Sequence, residues 1–349
     1  MSLVIDEKTL DIPTHEAMDG IKKHWGMDSV YGLLSQELSS SCPLPQGVRE
    51  HVLLTQGKGI RPMLVLISAG FGRDRKEKAG PMAAALEMLH MATLAHDDVI
   101  DGSSLRRSRT SINAKWGDGT AVLLGDFFYG KSLKLVSPYG VPVTDRFADI
   151  ILDMVTGEFQ EAESLFDPQG KISDYLKRTG KKTASFFSHC CGIGAMISGI
   201  SAEQVKHLEQ FGYYLGVAFQ IKDDILDWCS SEEDRGKPVC HDLKQGVLTL
   251  PILFALRLSK KRGKLGKIIK NRNITLDNLE FIKQELIKTG AIEYSYGMAS
   301  LYGDCARINL NRLPGGMAKD HLETVLEYIL DPSGVTTADN SLKVQDLPL

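Results

Sequence analysis

Leu86-Glu87-Met88-Leu89-His90-Met91-Ala92-Thr93-Leu94-Ala95-His96-Asp97-Asp98-Val99-Ile100-Asp101 is the stretch on which the fold class turns. Its apolar side chains fall nearly all round a helix of 3.6 residues per turn, which marks a helix surrounded by others. The run then ends on three carboxylates. Asp97 and Asp101 are four residues apart and share a helix face, with Asp98 beside them. Aspartate is a poor helix former, and a helix C-terminus is the wrong end for negative charge. Three carboxylates within ~5 Å repel by roughly 3 kcal/mol per pair at an effective dielectric near 20. A cation relieves that repulsion, and an all-oxygen donor set suits a hard ion such as Mg²⁺.

Asp223-Asp224-Ile225-Leu226-Asp227 closes a second apolar run, Phe211 to Ile221, with the same D-D-x-x-D spacing. One such cluster reads equally well as a solvated helix end. Two of identical spacing, each ending a very apolar helix, point to facing metal ligands at the mouth of a bundle cavity, with a diphosphate clamped between them.

Working outward, helical spacing recurs over Met63 to Ala69, Pro81 to Ile100, Thr120 to Val136, Phe147 to Glu163, Lys182 to Ile200 and Glu203 to Trp228. It continues over Ile252 to Leu258, Leu276 to Thr289, Ala291 to Leu313 and Ala318 to Leu330. Alternating β-branched runs and Asn-Gly hairpin signals are missing, as is any 20–50-residue repeat. The expected architecture is all-α: an N-terminal extension over 1–24, one helical domain over 25–330, and a mobile tail over 331–349 broken by Pro332, Gly334 and Pro348. The 349 residues suffice for a large core without staples, and a net charge of −3 gives no general field for nucleic acid. Six cysteines form no C-x-x-C pair, so reduced thiols in a cytoplasm are expected. Met1 to Ile21 does not read as a signal peptide. Thr183 to Ala202 is uncharged, but its serines, glycines, histidine and cysteines read as a buried helix, not a membrane span.

A metal–diphosphate site also needs cations. Arg106 and Arg107 follow the first acidic cluster, Lys58 and Arg61 lie in Gly57-Lys58-Gly59-Ile60-Arg61-Pro62, and Lys181-Lys182-Thr183 opens an apolar helix. Lys237 and Lys244 flank the loop after the second cluster. Each alone reads as a solvated surface charge; arginine suits bidentate phosphate contacts and lysine point-charge neutralisation.

Taken in order over about residues 25–330, these landmarks resemble the trans-isoprenyl diphosphate synthases. Gly57 to Pro62 looks like the family's G-K-R-x-R-P, and Glu87-Met88-Leu89-His90 leads into the first aspartate-rich region and the arginine pair. Gly125-Asp126, Lys182-Thr183-Ala184, Phe219 to Asp227, Gly236-Lys237-Pro238, Asp242-Leu243 and Thr249-Leu250-Pro251 complete the match. The resemblance implies the isoprenoid synthase fold, a large antiparallel bundle round an apolar cavity. It implies that Asp97, Asp98, Asp101 and Asp223, with Asp224 and Asp227 in support, hold three Mg²⁺ round an allylic diphosphate. Arg106, Lys182, Thr183, Gln220 and Lys237 would bind that diphosphate; Lys58, Arg61, His90 and Arg107 would bind isopentenyl diphosphate. His90 also has a rival reading as a satisfied core histidine. Gly59 replaces the usual Arg, Ser108 and Thr110 the usual Gly and Pro, and Val247 a common Lys or Arg, while Glu158-Phe159-Gln160-Glu161 shifts the family's glutamine by one.

Ala92 and Thr93 lie one turn before Asp97, where short-chain members carry aromatics; their small size implies a hexaprenyl to heptaprenyl product, with Leu89 as a candidate floor. Shorter farnesyl or geranylgeranyl products are the alternative. Residues 112–132 and 291–315 look most like the catalytic large subunit of two-component hexaprenyl and heptaprenyl synthases. A homodimer is the simpler expectation, a heterodimer with a small regulatory subunit the other. A terpene cyclase would carry an N-D-x-x-S-x-x-x-E second site instead of Asp223 to Asp227. An HD-type phosphohydrolase would need histidines that His51, His189 and His241 do not supply, and a non-catalytic subunit would have lost the aspartates.

Overall fold

The computed structural model describes residues 15–39, 44–54, 57–72, 76–107, 109–229 and 240–331. The helices are α1 (His15–His24), α2 (Met27–Ser39), α3 (Gln46–Leu54), α4 (Ile60–Ala69), α5 (Lys76–Ile100), α6 (Ile112–Trp116), α7 (Asp118–Val136) and α8 (Val141–Glu163). After these come α9 (Ile172–Thr179), a π-helical turn (Gly180–Ala184), α10 (Ser185–Ile197) and α11 (Ala202–Cys229). The chain continues with α12 (His241–Gln245), α13 (Leu250–Leu258), α14 (Arg262–Lys270), α15 (Leu276–Lys288), α16 (Ala291–Leu310) and α17 (Met317–Leu330). One two-residue antiparallel pair, β1 (Leu105–Arg106) with β2 (Arg109–Thr110), folds back the segment after the first acidic cluster.

Two apolar clusters build the core. The larger gathers α1 to α8 with α10, the first half of α11, the C-terminal end of α16 and α17; the smaller gathers α9, the second half of α11, α12 to α15 and the rest of α16. The 28-residue α11, about 42 Å long at 1.5 Å per residue, belongs to both. Every residue of α4 except Arg61 is buried, as its unbroken apolar sequence requires. Met18 and Ile21 of α1 reach the larger cluster, so residues 15–24 pack on the bundle.

The expected helices are present, with informative edges. α8 begins six residues early because Pro142 fits a first turn, where its missing N–H costs nothing. The segment expected as one helix from Lys182 is a π turn followed by α10. α1 to α3, α6, α9, α12 and α14, short or polar, escaped the periodicity reading. Among the described residues no helix is long and apolar enough to cross a membrane. Ser108, Lys237 and the tail beyond Asp331 lie outside the described residues.

Candidate active site

The two acidic helix ends meet across one cleft of about 680 Å³, lined among others by Asp101, Lys182, Thr183, Gln220 and Asp224. α5 and α11 deliver the carboxylates, and the π turn between α9 and α10 delivers the lysine. A π turn widens the helix by one residue, a device common at functional sites. Here it carries Lys182 and Thr183.

Lys182 Nζ stands 2.6 Å from Glu158 and 2.7 Å from Glu161 of α8. Burial pushes its ammonium toward neutrality, but Glu161, Glu158 and Asp97 outweigh burial and hold it charged well above the usual lysine value. Glu161 also meets Arg178 at 3.3 Å. The glutamine that sequence reading found shifted, Gln160, is exposed, and Glu161 takes the inward position. Two carboxylates therefore compete with any anion for Lys182. Glu161→Gln is expected to tighten binding of inorganic diphosphate about threefold, within the range of one partly exposed ion pair. Calorimetry would read this; weaker binding would mean that Glu161 positions Lys182 instead of competing for it.

On the α11 side, a polar chain fixes Asp224. The Thr183 hydroxyl donates to Gln220 at 2.8 Å, the Gln220 amide donates to Asp224 at 2.8 Å, and the Tyr175 hydroxyl donates to Asp224 at 2.6 Å. Burial raises the Asp224 carboxyl to about 7, with Asp223 adding to the rise and the Tyr175 and Gln220 hydrogen bonds opposing it. Asp223 is exposed at the rim. Asp227 is buried and accepts from the backbone N–H groups of His241 at 3.3 Å and Asp242 at 3.2 Å, capping α12. Gln245 of α12 donates to the Asp101 carbonyl at 2.9 Å, so this cap ties the second acidic motif to the first.

Asp97 is likewise raised to about 7, chiefly by burial, with Glu158 and Asp101 adding to it against Lys182 and Arg106. Asp98 differs: it is buried, and Arg106 places Nε and Nη2 each 2.7 Å from its Oδ1. Adjacent aspartates thus do different work, Asp97 facing the lysine and Asp98 holding an arginine.

A second basic group lies behind α5. Arg61 reaches His90 Nε2 at 3.2 Å and sits 5.0 Å from the ring centroids of both Phe186 and Phe187. Burial, then Arg61, Arg107 and Arg106, push His90 well below its usual value, so its imidazole is neutral. The Arg61 contact fits both readings of His90, a core histidine satisfied by its hydrogen bond and a neighbour of the substrate diphosphate. Lys58 is exposed, 5.6 Å from the Tyr328 ring. Arg107, at φ 51°, turns back toward Glu87, Tyr31 and Asp98. Sequence reading left Tyr175, Glu158, Glu161 and Glu87 without roles; only Glu87, a charge within the apolar run of α5, carried a signal in the sequence.

Among the described residues no three His, Cys, Asp or Glu side chains converge closely enough to hold an ion alone. The donor chemistry still fits a hard cation. Asp97 is half-buried and Asp224 buried, both carboxyls are held well above their ordinary value, and Mg²⁺ binds through one or two carboxylates completed by phosphate and water. Of the residues expected to set product length, Thr93 shares the Asp97 face one turn below. Ala92, at 100° per residue, points about 140° away from Asp97 and, like Leu89, is fully buried.

Residues 44–286 match the sequence profile described as polyprenyl synthetase. Heptaprenyl diphosphate synthase component 2 of Bacillus subtilis (strain 168) is 39% identical over 304 residues, 87% of each chain. The crystal structure of heptaprenyl diphosphate synthase from Staphylococcus aureus superposes with a TM-score of 0.82 at 32% identity, over 90% of this chain and 98% of that one. Polyprenyl synthase from Caulobacter crescentus CB15, solved with calcium and isoprenyl diphosphate, gives 0.85 at 28% identity, over 90% and 97%. Sequence and fold agree, and the chain belongs to the polyprenyl synthetase family as a trans-polyprenyl diphosphate synthase, a prenyltransferase.

Proposed function

We propose that this chain extends an allylic diphosphate with isopentenyl units to hexaprenyl or heptaprenyl length, using Mg²⁺. The observation that carries this reading is the meeting of Asp101, Lys182, Thr183, Gln220 and Asp224 around one cleft, with Asp97 acting electrostatically on Lys182. Lys182, Thr183, Gln220, Arg106 and Lys237 bind the allylic diphosphate. Asp97, Asp101, Asp223 and Asp224 hold the ions, while Asp98 acts through Arg106 and Asp227 through α12. When bound, the ions supply positive charge to the leaving diphosphate. As that group departs, Lys182 and Arg106 meet the growing negative charge and the apolar helices keep water from the allylic cation. Arg61, His90, Arg107 and Lys58 hold isopentenyl diphosphate with its double bond toward that cation. The new carbon–carbon bond forms, and the proton leaves to the released diphosphate, so no protein base is needed.

Thr93, one turn below Asp97, is small enough to let the tail pass. The test is a product assay with radiolabelled isopentenyl diphosphate, farnesyl diphosphate and Mg²⁺. Wild type should give a ladder ending at hexaprenyl or heptaprenyl length, and Thr93→Phe one ending at least one isoprene unit shorter; an unchanged end point would remove Thr93 from length control.

A second reading concerns the partner. Leu152, Val155 and Phe159 lie on one face of α8, and Val122, Leu123 and Leu133 on α7; all six are exposed. Exposed large apolar side chains grouped on α7 and α8 point to an interaction surface. With a similar protein named as component 2 of its synthase, the occupant is a second, smaller protein component. A ladder that appears only after adding extract from the source organism supports this; full activity of the purified monomer overturns it.

A further inference from the structure

Gly59 removes a cation from the isopentenyl side of the site, and the structure shows what stands in its place. Gly59 has φ +68°, and a Cβ built on it would lie 2.6 Å from the Tyr31 hydroxyl oxygen and 2.8 Å from Met27 Cε. Both contacts come from α2. Nothing larger than glycine fits while Tyr31 keeps this position, since real Cβ atoms do not approach so closely. Two residues earlier, a Cβ on Gly57 would lie 2.4 Å from Arg107 Nη2. The Gly57-Lys58-Gly59 segment is therefore covered by Arg107 at one glycine and Tyr31 at the other. Tyr31, Gly57, Glu87, Asp98, Arg106 and Arg107 share the walls of one cleft. Glu87 is buried, and its Oε2 makes no hydrogen bond in the structure. Within this group the field at Arg107 comes from Glu87, Arg106, Tyr31 and Asp98.

We propose that Tyr31 is a substrate-binding residue of this enzyme: its hydroxyl occupies the space into which a side chain at 59 would project and donates a hydrogen bond to the diphosphate of isopentenyl diphosphate beside Arg107. Gly59 is then the steric partner of Tyr31, and the site exchanges a flexible cation for a rigid neutral donor held on α2. An aromatic hydroxyl loses less conformational freedom on binding than an arginine, which offsets part of the missing charge. The proposal rests on the reading that Lys58, Arg61, His90 and Arg107 form the isopentenyl subsite.

The test is Tyr31→Phe, which deletes one oxygen and keeps the ring. The expected result is a rise of about 10-fold in KM for isopentenyl diphosphate, the worth of a hydrogen bond to a charged group. The turnover number, the KM for farnesyl diphosphate and the melting temperature should stay near wild type. Gly59→Ala, which pushes against the same hydroxyl, should raise the same KM, and the double variant should be no worse than either single one. Thermal stabilisation by isopentenyl diphosphate alone supplies a readout independent of turnover, and it should be weaker in Tyr31→Phe. Equal stabilisation of wild type and variant, or equal rises in both KM values, overturns the proposal while leaving the subsite reading intact. A wild-type protein that isopentenyl diphosphate does not stabilise overturns both.

Discussion

Asp97→Asn is expected to slow condensation by about three orders of magnitude and at the same time to stabilise the metal-free protein at pH 8. The rate effect follows from its place: Asp97 faces Lys182, and loss of one group that organises charge at a leaving oxyanion costs ~10²–10³ in rate. Loss of an ion ligand adds to that. The stability effect has the opposite sign because the folded carboxyl titrates at about 7 against an ordinary 3.8. A raised carboxyl value means that the ionised group is disfavoured in the fold. The cost is full above about 7, falls as the folded group takes up its proton and is gone only near the ordinary 3.8. Asparagine never bears the cost. The attraction to Lys182 is already contained in the raised value, and solvent screening at the half-buried Asp97 reduces the gain to the order of 1 kcal/mol, or roughly 2 °C in a chain of this size. The gain should shrink as pH falls from 8 to 6. Product assays at saturating Mg²⁺ and melting curves across that range check both halves. A turnover number within tenfold of wild type would take Asp97 out of the ion-holding set. A lower melting temperature at pH 8 would show that its pairing with Lys182 outweighs its burial.

Lys182→Ala should also abolish most of the activity, by about 10²–10³, but with the reverse effect on stability. The lysine is the cation that Glu158 and Glu161 contact at 2.6 and 2.7 Å. Removing it leaves Glu158 without its cation, Glu161 with Arg178 and Asp97 with the more distant Arg106. Breaking a fully buried pair costs about 3–5 kcal/mol. Lys182 retains 31% side-chain exposure, so solvent screening reduces the figure to roughly 2 kcal/mol. Melting temperature and single-turnover rate are the measurements. Lys182→Arg should keep the stability and recover part of the rate, since it restores charge without the compact ammonium. A Lys182→Ala protein as stable as wild type would mean that the glutamates turn to solvent or to Arg178.

The pair of variants shows where sequence reading stops. Both aspartate motifs, the lysine and the two basic groups are legible because their chemistry lies in residue type and spacing. A repeated D-D-x-x-D at the ends of two apolar helices has few meanings. Spacing does not tell neighbours apart. Asp97 and Asp98 are adjacent in sequence, yet one faces a lysine and the other is locked to Arg106. Asp224 and Asp227 share a motif, yet one ends a hydrogen-bonded chain through Gln220 and Thr183 and the other caps α12. Ala92 and Thr93 looked equivalent as one turn below Asp97, and the 100° step between them puts only Thr93 on its face.

Sequence alone determined the helical class, the order of the core helices and the identity of the charged groups, because apolar periodicity and D-D-x-x-D spacing are local properties that survive without knowledge of neighbours. Only the tertiary structure decided which carboxylates are buried toward Lys182, which of them hold arginines or helix ends, and that Gly59 makes room for Tyr31. Those outcomes depend on contacts between α5, α8, α11 and α2, whose residues lie tens to more than a hundred positions apart, and a pKa or a steric gap is a property of the neighbours that packing supplies.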